Sequence, residues 1–167
     1  LTFEGRTRFG NDQWHVLYGG RIDDYSDFGE QTSPRFGVIF KPTNTSAVKL
    51  LQGKAFRAPI TLELNNQFSP IGNKDLKPET IVTTELVYMY QSQNWQFRST
   101  LFASDWENGI VIVPIGDGVT EYRNEGRNES EGIELGVKML YDAWYLEANG
   151  TYTQSEAVKD SGNTDYS

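Results

Sequence analysis

There is no cysteine among the 167 residues, which removes disulfide scaffolds, Cys-ligated zinc and thiol catalysis from consideration. The only histidine is His15, and no serine sits in a nucleophile elbow, so a Ser-His-Asp triad has no footing. His15 stands at the start of an alternating segment and reads as a strand-end residue at a rim. No apolar run approaches the roughly 20 residues of a transmembrane helix. Positive charge is in deficit, with 15 Lys+Arg against 23 Asp+Glu and a net charge of -8, which argues against nucleic acid as a partner. Asp23 and Asp24 are adjacent and point to opposite faces of a strand, so they cannot converge as a catalytic pair. Asp105 and Glu107 share a parity but read as solvated rim charges where a strand meets a loop. The "GDG" at Gly116–Gly118 has turn chemistry and lacks the ligand spacing of a calcium loop. The chain opens at Leu1 with no initiator methionine and no leader-like segment, as expected of a processed chain or an excised piece.

What is present is period-two alternation. The composition, 37% hydrophobic and 13% aromatic, is enough for a real core. A hydrophilic average does not exclude lipid, because a strand with one face in a membrane alternates apolar and polar residues. The pattern predicts strands over Leu1–Phe9, Trp14–Tyr25, Pro34–Lys41, Ala47–Phe56, Thr80–Gln91, Trp95–Trp106, Glu121–Tyr141 and Trp144–Ala157. The connections are "GNDQ", "SDFGEQTS", "PTNTS", the long stretch from Gly53 to Thr80, "SQN", "ENGIVIVPIGDGVT" and "DA", and a polar end "VKDSGNTDYS" follows. Short and long alternate throughout. A transmembrane barrel sorts its connections this way, with tight turns on the periplasmic side and long loops outside. Strands starting at Trp14, Ala47, Trp95 and Trp144 then run outward.

The two faces of each strand agree with that reading. Ile133, Leu135, Val137, Met139 and Tyr141 share one side, against Glu134, Gly136 and Lys138 on the other. Trp144, Leu146, Ala148 and Tyr152 oppose Tyr145, Glu147, Asn149 and Thr151; Phe36, Val38 and Phe40 oppose Arg35, Gly37 and Ile39. Apolar sides that end in Tyr or Trp suit the two membrane interfaces. An antiparallel sandwich also reads apolar-in and polar-out, so a soluble extracellular binding module for carbohydrate is the alternative from another class. A complete small barrel is a second alternative, since eight is the strand count of the smallest closed outer-membrane barrels. The first half of the longest predicted strand, "EYRNEGRNESEG", is polar on both faces, as for a strand projecting beyond the bilayer.

In order and spacing, "SPRFGVIFKP", "LLQGKAFRAP", "GNKDLKPETIVTTELVY", "YRNEGRNESEGIELGV" and "LEANGTYTQSEA" resemble the barrel of TonB-dependent outer-membrane receptors from Ser33 to Ala157. The resemblance implies an all-β, antiparallel up-and-down barrel of 22 strands in the Gram-negative outer membrane, closed by a plug domain and driven by TonB. Residues 1–167 are then expected to be part of that barrel domain, about eight strands of it, with neither plug nor TonB box. The implied partners are outer-membrane lipid, the receptor's own plug, TonB, and a ferric siderophore or other small scarce nutrient. Neither a cofactor nor an enzymatic step is implied.

Within this frame, Arg57, Glu63, Asn73, Lys77, Glu79, Glu85, Arg98 and Glu134 are the candidate residues for contact with substrate or plug. A basic residue on the lipid face would cost roughly 2–4 kcal/mol at the midplane, so these groups are expected in the lumen or the extracellular loop. The bland alternative is a solvated wall with ion pairs between strands. The stretch from Gly53 to Thr80, with no clear period, is expected to be an extracellular loop. Pro59 should end one strand's pairing and Pro78 should precede the next.

Overall fold

The computed structural model describes residues 1–158; the segment from Lys159 onward, most of the polar end noted above, lies outside the described residues. Eight strands form one antiparallel sheet in chain order: β1 (Thr2–Phe9), β2 (Trp14–Tyr25), β3 (Gly29–Phe40), β4 (Ser46–Arg57), β5 (Glu79–Gln91), β6 (Trp95–Gly116), β7 (Val119–Tyr141) and β8 (Trp144–Ala157). A single short helix, α1 (Thr61–Asn65), lies between β4 and β5. Among the described residues the sheet is one layer, with no second sheet to make a sandwich. Among the described residues β1 and β8 pair with no strand but their inner neighbours, so these eight strands do not close into a small barrel.

Burial separates the two faces. Val87 and Thr100, opposite each other in β5 and β6, are each 2% exposed, whereas Leu86 and Leu101, one residue away, are 44% and 49% exposed. In a curled single layer, side chains crowd on the concave face and splay on the convex one. The concave face therefore carries His15, Lys49, Val87, Thr100 and Glu134, which the register sets in one row with Ile39 and Thr151. The convex face carries Val16, Val38, Leu50, Leu86, Leu101 and Ile133 in the neighbouring row.

The convex apolar stretches have a common height. Val82–Tyr90, Trp95–Ala103, Ile133–Tyr141 and Trp144–Tyr152 each match the roughly 9–11 residues that a tilted strand needs to cross a bilayer. At the short-turn end the convex face closes with Phe9, Trp14, Phe40, Tyr90, Trp95, Tyr141 and Trp144. Trp14 lies between its neighbours, 6.2 Å from the Phe9 ring and 4.3 Å from Phe40. At the other end, Asp105, Glu129 and Glu156 stand in register where the apolar band stops. An aromatic belt below and a charged edge above bound the lipid zone.

Two expected loops turn out to be strand. β3 begins at Gly29 rather than Pro34, and its pairing with β2 is unbroken from Trp14↔Phe40 to Tyr25↔Gly29. The segment expected as a loop from Glu107 to Thr120 is the end of β6, a tight turn and the start of β7, with Val113 opposite Glu121. The turn needs left-handed backbone at three successive residues, Gly116 (φ 110), Asp117 (φ 51) and Gly118 (φ 73), which the Gly-Asp-Gly sequence supplies at little cost. Asp105 and Glu107 accordingly lie within β6, facing Arg127 at 3.5 and 3.8 Å, and not at a strand end. Both segments lie above the lipid zone, so no lipid-facing stripe was needed and none is visible. What sorts the two ends of the sheet is therefore strand projection more than loop length. Of the long connections, only residues 58–78 are irregular, and even they contain α1.

Candidate functional site

Arg57 ends β4 and Glu79 begins β5, and the two are register partners. Both have concave-face parity and lie above the apolar band. Arg57 Nε donates to Glu79 Oε2, while its Nη1 and Nη2 donate to Glu63 Oε2 and Oε1 at 3.2 and 3.1 Å. Glu63, in the first turn of α1, also accepts from the Ile60 N–H at 2.8 Å. One guanidinium thus joins the rim of the wall to the helix of the loop, in the forked geometry that suits carboxylates.

The second oxygen of Glu79 accepts from the Ile110 N–H at 2.7 Å. That amide is free because the β6–β7 ladder slips here: Asn108 takes φ 54, and the register shifts between Trp106, Gly109 and Ile110. Glu79 is only 7% exposed. Burial opposes its ionisation, but the bonds from Arg57 and from the Ile110 amide outweigh burial and hold its carboxyl below the ordinary carboxylate range. The bulge closes tightly. Gly126 packs on the Gly109 backbone, and the Trp106 ring covers both, so a Cβ on Gly109 would clash with that ring.

A second knot is built on Asn124. Its Oδ1 accepts from the Lys77 N–H at 2.7 Å, and its Nδ2 donates to the Lys77 carbonyl at 2.9 Å and to the Asn108 carbonyl at 2.6 Å. Farther along, Ile71 pairs in parallel with Glu121, through Ile71 N–H to Thr120 O at 2.7 Å and Tyr122 N–H to Ile71 O at 3.1 Å. Asn73 Nδ2 donates to Tyr122 O at 3.1 Å, and the Thr120 N–H donates to Ser69 Oγ at 3.1 Å. The loop is therefore laid along the projecting β6–β7 hairpin and does not wave above the mouth. Leu76, 5% exposed, is buried beneath it.

The structure brings Arg57, Glu63 and Glu79 together and places Asn73 and Lys77 at the adjoining knot, Lys77 through its backbone. Glu85, Arg98 and Glu134 stand apart, lower on the concave wall. Arg98 Nε donates to Thr100 Oγ1 at 3.2 Å. Among the described residues none of these three makes an ion pair, in contrast to Arg57 and to Lys138, whose Nζ is 2.9 Å from Glu147 Oε1. Glu85 borders a recess of about 660 Å³ with Leu17, Arg35, Leu51 and Gly53. Arg98 borders another of about 800 Å³ with Lys41, Lys49 and Lys138. At the short-turn rim, Arg6 donates to His15 Nδ1, which leaves the Nε2–H to donate to the Asp12 carbonyl at 2.9 Å. Asn124, Trp106 and the Ile110 amide were not among the candidates. Asn124 and its neighbour Gly126 lie inside the quoted "YRNEGR" run, which was the only trace of them in the sequence.

Residues 2–167 match the family described as TonB dependent receptor-like, beta-barrel. The chain belongs to the TonB-dependent receptor β-barrel family. Its convex face is lipid-facing wall in the outer membrane of a Gram-negative bacterium, and its strands are a segment of an antiparallel up-and-down barrel. The ferric enterobactin receptor PirA of Pseudomonas aeruginosa is 28% identical over 171 residues, covering 87% of this chain and 23% of that protein. A crystal structure of the siderophore receptor PirA from the same organism superimposes with a TM-score of 0.78 at 27% identity, covering 86% of this chain and 29% of that one. An iron-regulated outer membrane virulence protein of Vibrio cholerae is 28% identical over 173 residues, covering 91% of this chain and 26% of its own length. A hemoglobin and hemoglobin-haptoglobin-binding protein of Haemophilus influenzae is 29% identical over 153 residues, covering 78% of this chain and 14% of that protein. The chain thus spans about a quarter or less of the curated relatives it matches.

Proposed function

We propose that this wall belongs to a receptor that imports an iron chelate, most simply a ferric siderophore, across the outer membrane. The observation that carries the reading is the two-faced wall itself: lipid-bounded on its convex side and charged on its concave side, in a chain of this receptor family. Around it the reading places a barrel of 22 strands, a plug domain seated against the concave wall, and TonB as the source of work. Glu85, Arg98 and Glu134 then face the plug or the passing ligand. Among the described residues these charges make no ion pair, and an inward charge needs either water or an opposite charge. Asn73, Lys77 and the rest of the docked loop face the ligand on its way in. Arg57, Glu63 and Glu79 satisfy one another and serve the loop from beneath. No bond is made or broken; binding and a rearranging plug suffice.

The test is growth of a strain carrying or lacking the full-length receptor, under iron limitation, with ferric enterobactin, haemin or haemoglobin as the iron source. Receptor- and TonB-dependent growth on the ferric siderophore supports the reading. Rescue by haemin or haemoglobin alone replaces the siderophore with a haem ligand, and rescue by none of the three overturns iron-chelate import.

A further inference from the structure

The quoted motifs that identify this wall are far apart in sequence and meet at one place. "FRAP" contributes Arg57, "NKDLKPE" contributes Lys77 and Glu79, and "YRNEG" contributes Asn124 and Gly126. Asn124 satisfies both the donor and the acceptor of the Lys77 peptide, as an opposing strand would, across 47 residues of sequence. The same side chain holds the Asn108 carbonyl at the bulge. From the other side, Glu79 takes the Ile110 amide of that bulge while Arg57 joins Glu79 to α1. Between the two knots the Glu107–Gly126 part of the hairpin and residues 58–78 are fixed to each other and to the wall. None of these bonds spans lipid, and both carboxylate oxygens of Glu79 and the whole side-chain amide of Asn124 are engaged within the knots.

We propose that Asn124, together with the Arg57–Glu79 pair, is a positioning residue for ligand capture: it locks the 58–78 loop onto the β6–β7 hairpin so that the two present a single fixed surface at the barrel mouth. The proposal rests on the import reading for its ligand, but the lock can be tested without one. With the lock open, the loop still reaches the mouth yet samples many positions, and each encounter with ligand must wait for the binding arrangement. Apparent affinity falls by the fraction of time that arrangement is absent. Passage of a ligand already captured is unaffected.

The experiment uses the full-length receptor. Asn124→Ala removes three hydrogen bonds, and Asn124→Asp keeps the acceptor for the Lys77 N–H but sets a carboxylate oxygen against the Lys77 and Asn108 carbonyls in place of both donors. Hydrogen exchange of amides 71–77 in the purified, ligand-free receptor is expected to quicken at least tenfold in Asn124→Ala and no less in Asn124→Asp. Uptake of ferric enterobactin by cells is expected to show a KM raised about tenfold in Asn124→Ala and at least as much in Asn124→Asp, with the maximal rate of both within twofold of the parent. Faster exchange with an unchanged KM reduces the knot to a structural feature and overturns the proposal. A raised KM with unchanged exchange makes Asn124 a ligand contact and overturns it equally. A parent receptor that takes up no ferric enterobactin or haemin overturns the import reading and the capture role with it. Exchange alone then decides whether the lock itself exists.

Discussion

Lys138 Nζ stands 2.9 Å from Glu147 Oε1, tying β7 to β8 across the concave face, while Val137, the residue before it, projects from the convex face midway along the band from Ile133 to Tyr141. Two neighbours in sequence thus meet opposite solvents. Val137→Arg is expected to destabilise the refolded full-length receptor by about 2–4 kcal/mol, the cost of a basic side chain at the bilayer midplane. Lys138→Gln removes a solvent-exposed ion pair and is expected to cost under about 1 kcal/mol. Denaturant titration in lipid vesicles measures both. Equal costs for the two variants would contradict the assignment of faces.

Glu79 makes the loop anchor sensitive to acid. Its carboxyl titrates below its unfolded value near 4.5, because burial is outweighed by the bonds from Arg57 and the Ile110 amide. A group with a depressed folded pKa stabilises fully above its unfolded pKa and loses that contribution as pH falls through the folded one. Protease cleavage within residues 61–77 of the intact receptor should therefore stay slow through neutral pH and rise only below the ordinary carboxylate range. Glu79→Gln should cleave faster at neutral pH, by the loss of a charge-assisted pair worth about 1–3 kcal/mol, and its rate should lack that acid step. A parent protein whose cleavage rises near pH 6 instead would point to some other titrating group.

The bulge in β6 offers a packing test. A Cβ on Gly109 would clash with the Trp106 ring, and one on Gly126 would lie 3.0 Å from both that ring and the Gly109 backbone. Gly109→Ala is expected to cost about 1–3 kcal/mol as an overpacking change. Trp106→Ala removes the obstruction, so the double variant should cost less than the sum of the two singles. Simple additivity in the unfolding free energies would mean that ring and glycine are not in contact.

Much of the wall was legible because lipid imposes period two on every residue that crosses it. The first residues of β2, β6 and β8 and the last of β1, β5, β7 and β8 fall where alternation and turn residues put them. Legibility stopped where lipid stopped. Gly29–Ser33 of β3 and the Glu107–Thr120 stretch are strands above the lipid zone, so their sequences carry no lipid stripe, and "IVIVPI" even reads as a continuous run. α1 is too short to show a helical period. The candidate site was half legible for a similar reason. Charge marked Arg57, Glu63 and Glu79, but Asn124 acts through a side-chain amide on a backbone 47 residues away, and no local pattern announces such a partner.

The candidate residues now divide into two groups with opposite expectations. Arg57 and Glu79 are register partners and both oxygens of Glu79 are engaged, so Arg57→Ala leaves Glu79 buried and without its cation. Breaking such a pair costs more than a surface ion pair does, on the order of 1–3 kcal/mol here, and the loss should appear as local opening of residues 58–79 more than as barrel unfolding. Glu85, Arg98 and Glu134 are in no ion pair among the described residues, so Glu85→Gln and Glu134→Gln should each leave the stability of the barrel within about 0.5 kcal/mol of the parent, and Arg98→Gln, which also loses the bond to Thr100 Oγ1, within about 1.5 kcal/mol. If they face plug or ligand, as proposed, their effect belongs to uptake. Paired measurements on the full-length receptor, of denaturant unfolding and of ferric enterobactin uptake, separate the groups. Loss of barrel stability beyond these margins in the Glu85, Arg98 or Glu134 variants would place those charges in the wall's own framework and remove them from the lumen-contact set.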